Sequence, residues 1–253
     1  MLKDLSVHDF VGLDEKAANG LIQTEVTKRM NINTKRTFKD FSYLGLLSWI
    51  EPSITLSKIE QKNRNLALNQ AAPMGLTASK KYYANTLDIR KYESLSVGVR
   101  FNAFYLDFPQ IKSTFLFNGN LFYGRTPFAA DSITGGVNTV TLAPDIACDI
   151  RADERWGLSL QWRASYLRAR SRELVQVADL LDVGNKVSNS IRNNWYNTAQ
   201  FQAFFQPSED NRGRLFFRYR FHWQYGDQNL NFHQAQLGYS FYLLGRNKGT
   251  VKK

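Results

Sequence analysis

Residues of the types that most often do chemistry are few in this chain. It contains three histidines, His8, His222 and His233, and one cysteine, Cys148. No histidine stands at the spacing of a zinc site. Cys148 falls among the apolar residues of an alternating segment, so we expect a small packing residue. Glycine-rich nucleotide loops are also missing. The sequence therefore predicts no catalytic residue, no metal site and no cofactor.

One polar cluster does stand out. Arg218, Arg220 and His222 occupy alternate positions of one segment, and Arg163 holds the same phase in another. Side chains at alternate positions of a strand share one face. In an enclosed interior such groups either fill the space as a plug or line a channel that prefers anions. The residues predicted to line this interior are Arg163, Arg218, Arg220, His222, Gln161, Gln200, Gln202, Asp145, Asp149, Asn118 and Asn120.

The composition limits the classes of protein to which the chain can belong. Its 253 residues carry 33 Lys plus Arg against 22 Asp plus Glu, a net charge of +11. Hydrophobic residues make up 43% and aromatic residues 14%, too many for a disordered tail. No apolar run approaches the roughly 18 residues of a membrane-spanning helix. Membrane strands stay compatible with this composition, because only alternate residues face lipid.

The strongest pattern is an alternation of apolar and polar residues. It begins near residue 92 and runs through seven segments separated by turn residues, which is typical of strands with two unlike faces. Between residues 37 and 91 the pattern is weaker, with candidate strands at 41–50, 53–59 and 75–84. The prediction is an all-β fold, an antiparallel barrel of about ten strands with eight to twelve allowed.

The composition of the two faces predicts which one points inward. None of the seven segments contains Lys or Glu, which normally supply a solvated sheet surface. Gly, Ser, Thr, Asn, Gln and Arg occupy the polar phase, and they suit a confined interior in which they bond one another. The apolar phase then faces lipid, with aromatic residues forming interfacial girdles. The predicted girdle residues are Trp156, Trp162, Tyr166, Trp223 and Tyr225.

The last alternating segment, residues 234–243, is similar to the closing strand of a bacterial outer-membrane β-barrel. The composition of residues 92–245, rich in Asn, Gln, Arg and aromatic residues, resembles that of barrels of Bacteroidota. The resemblance is one of architecture, and it implies a bacterial outer membrane as location and membrane lipid as surroundings. The chain departs from the usual pattern in one respect, since residues 244–253 follow the terminal strand.

Loop lengths and the terminal residues complete the predicted organisation. Short connections after Phe108, Arg151 and Gln206 alternate with long ones at 126–136 and 171–189, so the short side and both termini are expected in the periplasm. The predicted parts are a periplasmic N-terminal arm over 1–36, the barrel over 37–245 and a basic tail over 246–253. The arm is predicted to be short and either helical or extended, and the spacing of its apolar residues favours a helix over 13–30. No secretory signal is visible at the start.

The function predicted from these features is non-catalytic. A lipid-cleaving site would need a serine and a histidine together on the lipid-facing surface, and no histidine is assigned there. The basic residues of the termini and loops are interpreted as solvated, so no nucleic-acid partner is expected. The chain is predicted to be an anchor or subunit of a cell-envelope assembly, meeting other envelope proteins through its arm and long loops. The alternatives are a narrow Arg-lined channel or porin for small solutes, and a soluble lipocalin-like binding barrel.

Overall fold

The computed structural model describes residues 5–13, 20–39, 42–59, 66–67, 69–71, 81–83, 86–130, 133–151, 155–170, 195–207, 213–225 and 227–242. Its principal strands, in chain order, are β1 (Leu5–Leu13), β2 (Gly20–Lys28), β3 (Trp49–Ile59), β4 (Leu95–Phe108), β5 (Ser113–Ala130), β6 (Ile133–Ile150), β7 (Trp156–Arg170), β8 (Trp195–Phe205), β9 (Gly213–Gln224) and β10 (Asp227–Tyr242).

These ten strands form a closed ring. Each strand pairs antiparallel with the next one along the chain, from β1–β2 to β9–β10. The first and last strands also pair, with Ser6 opposite Tyr242 and Leu13 opposite Ala235. Closure leaves no free edge, since every strand has two neighbours. The predicted all-β antiparallel barrel of about ten strands is confirmed.

Shorter elements extend or connect the ring. Met30–Asn31 follows β2 and pairs with the first two residues of β3. Thr37–Lys39 forms a hairpin with Ser42–Leu46, which precedes β3. Between β3 and β4 lie the short strands Leu66–Ala67, Asn69–Ala71 and Lys81–Tyr83 and one helix, α1 (Thr86–Lys91). A 3-10 turn at Pro109–Ile111 joins β4 to β5. No helix among the described residues is long and apolar enough to span a membrane.

The helix predicted over residues 13–30, and with it the separate arm over 1–36, is wrong. Residues 5–13 and 20–28 are the wall strands β1 and β2, and residues 14–19 lie outside the described part. Strand pairing stabilises the extended conformation here, because β1 forms hydrogen bonds with β10 on one side and with β2 on the other. The predicted tail over 246–253 also lies outside the described residues.

A β-bulge changes the faces of one strand. The β4–β5 register shifts between Asn102 and Phe104, which moves later side chains to the opposite face. Tyr105 therefore shares the inward phase of Leu116, whereas Phe101, before the bulge, faces outward. Phe104 takes the outward phase and stacks on Phe117 with ring centroids 4.1 Å apart. On the neighbouring chain segment, Leu47 has a positive φ of 45°.

The barrel is polar inside and apolar outside. Phe217, Trp162 and Leu237 are exposed by 42%, 47% and 67%, whereas Asn120, Ser165 and Gln236 are 0–1% exposed. A soluble barrel would show the opposite arrangement, with its large apolar side chains packed in the centre. The soluble lipocalin-like alternative is thus inconsistent with the structure.

The two rims of the barrel differ. Strand β1 begins and β10 ends at the rim that carries the Pro109–Ile111 turn, which we call the turn rim. The longer connections 60–94 and 171–194 join strands at the opposite rim, which we call the loop rim. One loop expectation is wrong. Residues 126–136 are largely strand, because β5 and β6 pair as far as Ala130 opposite Ile133.

Candidate functional site: the barrel lumen

Helix α1 crosses the lumen near the loop rim. On one side, the Thr126 hydroxyl of β5 donates a hydrogen bond to the Ile89 carbonyl oxygen, at 2.9 Å. On the other, Leu87 packs against Phe232 of β10. Strands β5 and β10 are five places apart in the ten-strand ring and thus lie on opposite walls. The helix therefore spans the interior from wall to wall.

The inward face of the strands becomes apolar where α1 docks. Leu87 is 3% exposed and packs in a cluster with Leu167, Tyr196 and Phe232, which come from three different strands. Burying a leucine side chain stabilises by roughly 1.5–3 kcal/mol, so this contact holds the helix in place. Burial raises the pKa of the Asp88 carboxyl, an effect that the nearby Lys91 partly offsets. In the last turn of the helix, Arg90 forms an ion pair with Glu93, which follows it.

Below this level, Asp145 is the centre of a buried polar network. Its carboxylate accepts hydrogen bonds from Arg100 Nη2 at 3.0 Å, Asn118 Nδ2 at 2.8 Å and Asn120 Nδ2 at 2.6 Å. Arg163 Nη2 lies 3.8 Å from Asp145 Oδ2. Charged hydrogen bonds of this kind are stronger than neutral ones, and here they join strands β4, β5 and β6.

A second network joins side chains of β8, β9, β10 and β2. Arg218 Nε donates to Gln202 Oε1 at 2.8 Å and Arg220 Nε to Gln200 Oε1 at 2.7 Å. Arg218 Nη1 also lies 3.9 Å from Glu25 Oε2. Further hydrogen bonds join Thr198 to His222 at 2.9 Å and Gln236 Nε2 to Gln23 Oε1 at 3.0 Å.

A cavity of about 150 Å³ lies between α1 and these two networks. Strands from all around the ring contribute to its lining, including β2, β3, β5, β7 and β9. Its charged lining residues are Arg90, Lys91, Arg100, Arg163, Arg220, Glu25, Glu51 and Glu93. The cavity is therefore polar and lies in the barrel interior.

The structure places the predicted lumen residues on the inward face but divides them among several contacts. Asp149 forms no salt bridge with a described arginine, and its carboxylate accepts a hydrogen bond from the Ser159 hydroxyl at 2.6 Å. Gln161 Nε2 is buried without a hydrogen-bond partner among the described residues. The other predicted residues belong to the two networks described above. The Asp145 network contains Asn118, Asn120 and Arg163. The second network contains Arg218, Arg220, Gln200, Gln202 and His222.

The predicted girdle residues are outward-facing, at different heights. Trp156 packs on Phe205 at the turn rim, with ring centroids 4.4 Å apart, and Tyr166 packs on Trp195 at the loop rim. Trp223 stacks on Phe221, and Tyr225 is 67% exposed. Trp162 is outward as well, but it lies in the middle of β7 rather than at a strand end. Its predicted girdle position is therefore wrong.

One histidine lies in the phase from which the sequence analysis excluded histidine. His233 is opposite Phe221 in the β9–β10 pairing and stacks on its outward ring, with centroids 4.7 Å apart. Its Nδ1 shares a hydrogen bond with the Tyr219 hydroxyl. The preceding turn obscures the phase of β10, which explains why the sequence alone misassigned this residue.

The lumen acids of the N-terminal strands were not predicted from the sequence. Glu25 lies near Arg218, and Glu51 accepts a hydrogen bond from Arg29 Nε at 2.9 Å. The alternation of Gln23, Glu25 and Thr27 with apolar or smaller residues is the signal that could have identified β2. Helix α1 left no comparable signal, since six residues are too few for a helical period to show.

No protein-family model and no curated protein matches this chain. Among solved structures, the translocator domain of the autotransporter NalP from Neisseria meningitidis is similar, with a TM-score of 0.42, 10% identity, and coverage of 94% of this chain and 87% of that chain. The NanC porin gives a TM-score of 0.36 at 10% identity, covering 94% of this chain and 98% of that chain. The KdgM porin gives 0.35 at 4% identity, covering 93% and 98%. The fold assignment rests on the strand pairing and on the distribution of side chains.

Proposed function

We propose that this chain is a bacterial outer-membrane β-barrel that acts without catalysis as an anchor or subunit of a cell-envelope assembly. The observation that carries the proposal is helix α1, which spans the lumen between opposite walls. A barrel whose interior is occupied in this way serves to hold a protein in the membrane rather than to pass solutes.

The membrane location follows from the physical chemistry of the wall. Ring closure pairs the strands on both sides, as the hydrocarbon region requires of any spanning structure. The outward face carries large apolar side chains that would be unfavourable in water, among them Leu160, Leu142 and Leu121 at 49–54% exposure. The resemblance of residues 92–245 to barrels of Bacteroidota supports the outer membrane as the location.

A surface at the turn rim supports the role in an assembly. Ile32, Phe38 and Leu47 are 60–64% exposed in the segment between β2 and β3. Arg29 and Lys35 are in the same segment. In the proposal these residues form a protein-binding patch, because large exposed apolar surfaces mark interaction sites. In this proposal the patch, rather than a separate N-terminal arm, contacts other envelope proteins.

The second candidate function is a narrow channel for small anions. The cavity between α1 and the arginine networks favours it, because guanidinium groups exposed in a lumen attract anions. Passage through the barrel would then require α1 to leave its place.

Conductance of the purified protein in a planar lipid bilayer separates the two candidates. We expect no conductance steps at any applied voltage, because α1 and the side-chain networks occupy the lumen. Reproducible ohmic steps would contradict the closed barrel and favour the channel. In that case, a reversal potential measured in a salt gradient would report whether anions are preferred.

A further inference from the structure

Two arginines in the lumen have no carboxylate to themselves. Four acids are engaged by other guanidinium groups: Glu51 by Arg29, Glu93 by Arg90, Asp145 by Arg100, and Glu25 by Arg218. Arg163 shares Asp145 with Arg100, at 3.8 Å, and Arg220 forms no salt bridge with a described carboxylate. Both line the cavity next to α1.

The contacts of Arg163 and Arg220 also leave part of their positive charge uncompensated. Arg163 Nε is buried without a hydrogen-bond partner among the described residues, and its nearest carboxylate oxygen is 3.8 Å from Nη2. Arg220 donates from Nε to the neutral Gln200 amide, and no described carboxylate forms a salt bridge with it. Burying a cation without a counter-charge is costly, so a compensating anion is expected nearby.

The cavity offers the space for such an anion. Its volume of about 150 Å³ would hold roughly five water molecules at about 30 Å³ each, which is enough for a tetrahedral oxyanion. Five cationic side chains line it against three carboxylates, which leaves an excess of two positive charges, since 5 − 3 = 2. A planar guanidinium binds two oxygens of such an anion at once.

We propose that this cavity is a binding site for one small oxyanion of the phosphate or sulfate class, with Arg163 and Arg220 as its ligands. The site lies inside the barrel wall, so its ligand is a free anion rather than a lipid headgroup. The inference goes beyond the proposed function and is independent of it, because a bound anion is compatible with a silent barrel and with a channel.

Calorimetric titration of inorganic phosphate into the full-length protein in detergent tests the proposal, with chloride used to keep the ionic strength constant. We expect saturable binding of one phosphate per chain, with sulfate competing. Arg220→Gln and Arg163→Gln should each weaken binding by about tenfold or more, because a charged hydrogen-bond pair is lost. Arg168→Gln is the matched control, since it removes the same charge from an exposed position of β7.

A second variant distinguishes loss of phosphate binding from loss of folding. Thr55 of β3 lines the cavity, and Thr55→Glu would add a carboxylate to its lining that repels an anion, so it should abolish phosphate binding while the barrel still folds. The absence of saturable phosphate binding to the unmodified protein would overturn the proposal. Equal weakening by Arg168→Gln and Arg220→Gln would overturn it too, because it would show only a general effect of charge.

Discussion

Replacing Leu160 with arginine is expected to prevent stable insertion of the barrel. Leu160 is 49% exposed on the outer face of β7, between the outward rings of Trp156 and Tyr166, which lie at the two ends of the β7–β8 pairing. This position places it close to the centre of the membrane-facing belt, where an arginine costs roughly 2–4 kcal/mol. A loss of this size is a large part of the 5–15 kcal/mol that typically stabilises a folded protein.

The neighbouring residue provides the control. Gln161 is on the inward face of the same strand, so Gln161→Arg adds the same side chain to the polar lumen and should fold much better. The measurement is the fraction of protein that refolds into lipid vesicles, detected as the band whose gel mobility changes on boiling. Equal losses for both variants would contradict the assignment of the two faces.

Removing helix α1 is expected to turn a silent barrel into a conducting one. Replacing residues 86–91 by an alternating Gly-Ser linker of the same length deletes the Leu87 contacts with Leu167, Tyr196 and Phe232. It also removes the side chains that separate the cavity from the loop rim, so water and ions gain access to the lumen. We expect conductance steps in planar bilayers from this variant and none from the unmodified protein.

A matched replacement at the opposite rim shows whether the effect is specific. The 3-10 turn Pro109–Ile111 forms a connection at the turn rim and has no buried residue. Replacing it by Gly-Ser-Gly should leave the barrel silent. If the α1 variant folds and still does not conduct, the side-chain networks alone close the lumen and α1 is not the plug.

The sequence was most informative where one physical constraint acts on every second residue. From β4 onward, one face of each strand contacts lipid and the other an enclosed interior, so the two faces differ in amino-acid composition. The faces of Phe217 and Arg218 could therefore be predicted directly. The same reasoning failed at β1 and β2. There, Leu13, Leu21 and Val26 also fit a helical spacing, and only pairing with β10 and β3 distinguishes the two interpretations.

The candidate site was predictable only in part for a related reason. Arg218 and Arg220 reveal themselves by their alternation within one strand, whereas their acidic neighbour Glu25 is almost two hundred residues away in sequence. Such contacts depend on which strands become neighbours in the closed ring. The place of Leu87 depends on the tertiary fold in the same way, since its partners come from three separate strands.

Quenching of tryptophan fluorescence by brominated lipid tests the inside-out barrel most directly. The chain has five tryptophans, of which Trp162 is 47% exposed on the outer face and Trp49 is 7% exposed in the lumen beside Arg29. Two variants, each keeping one of these tryptophans and carrying phenylalanine at the other four positions, are refolded into vesicles brominated in the acyl chains. Strong quenching of Trp162 with little quenching of Trp49 is the expected result. Quenching of Trp49 that equals or exceeds that of Trp162 would contradict the structure described here.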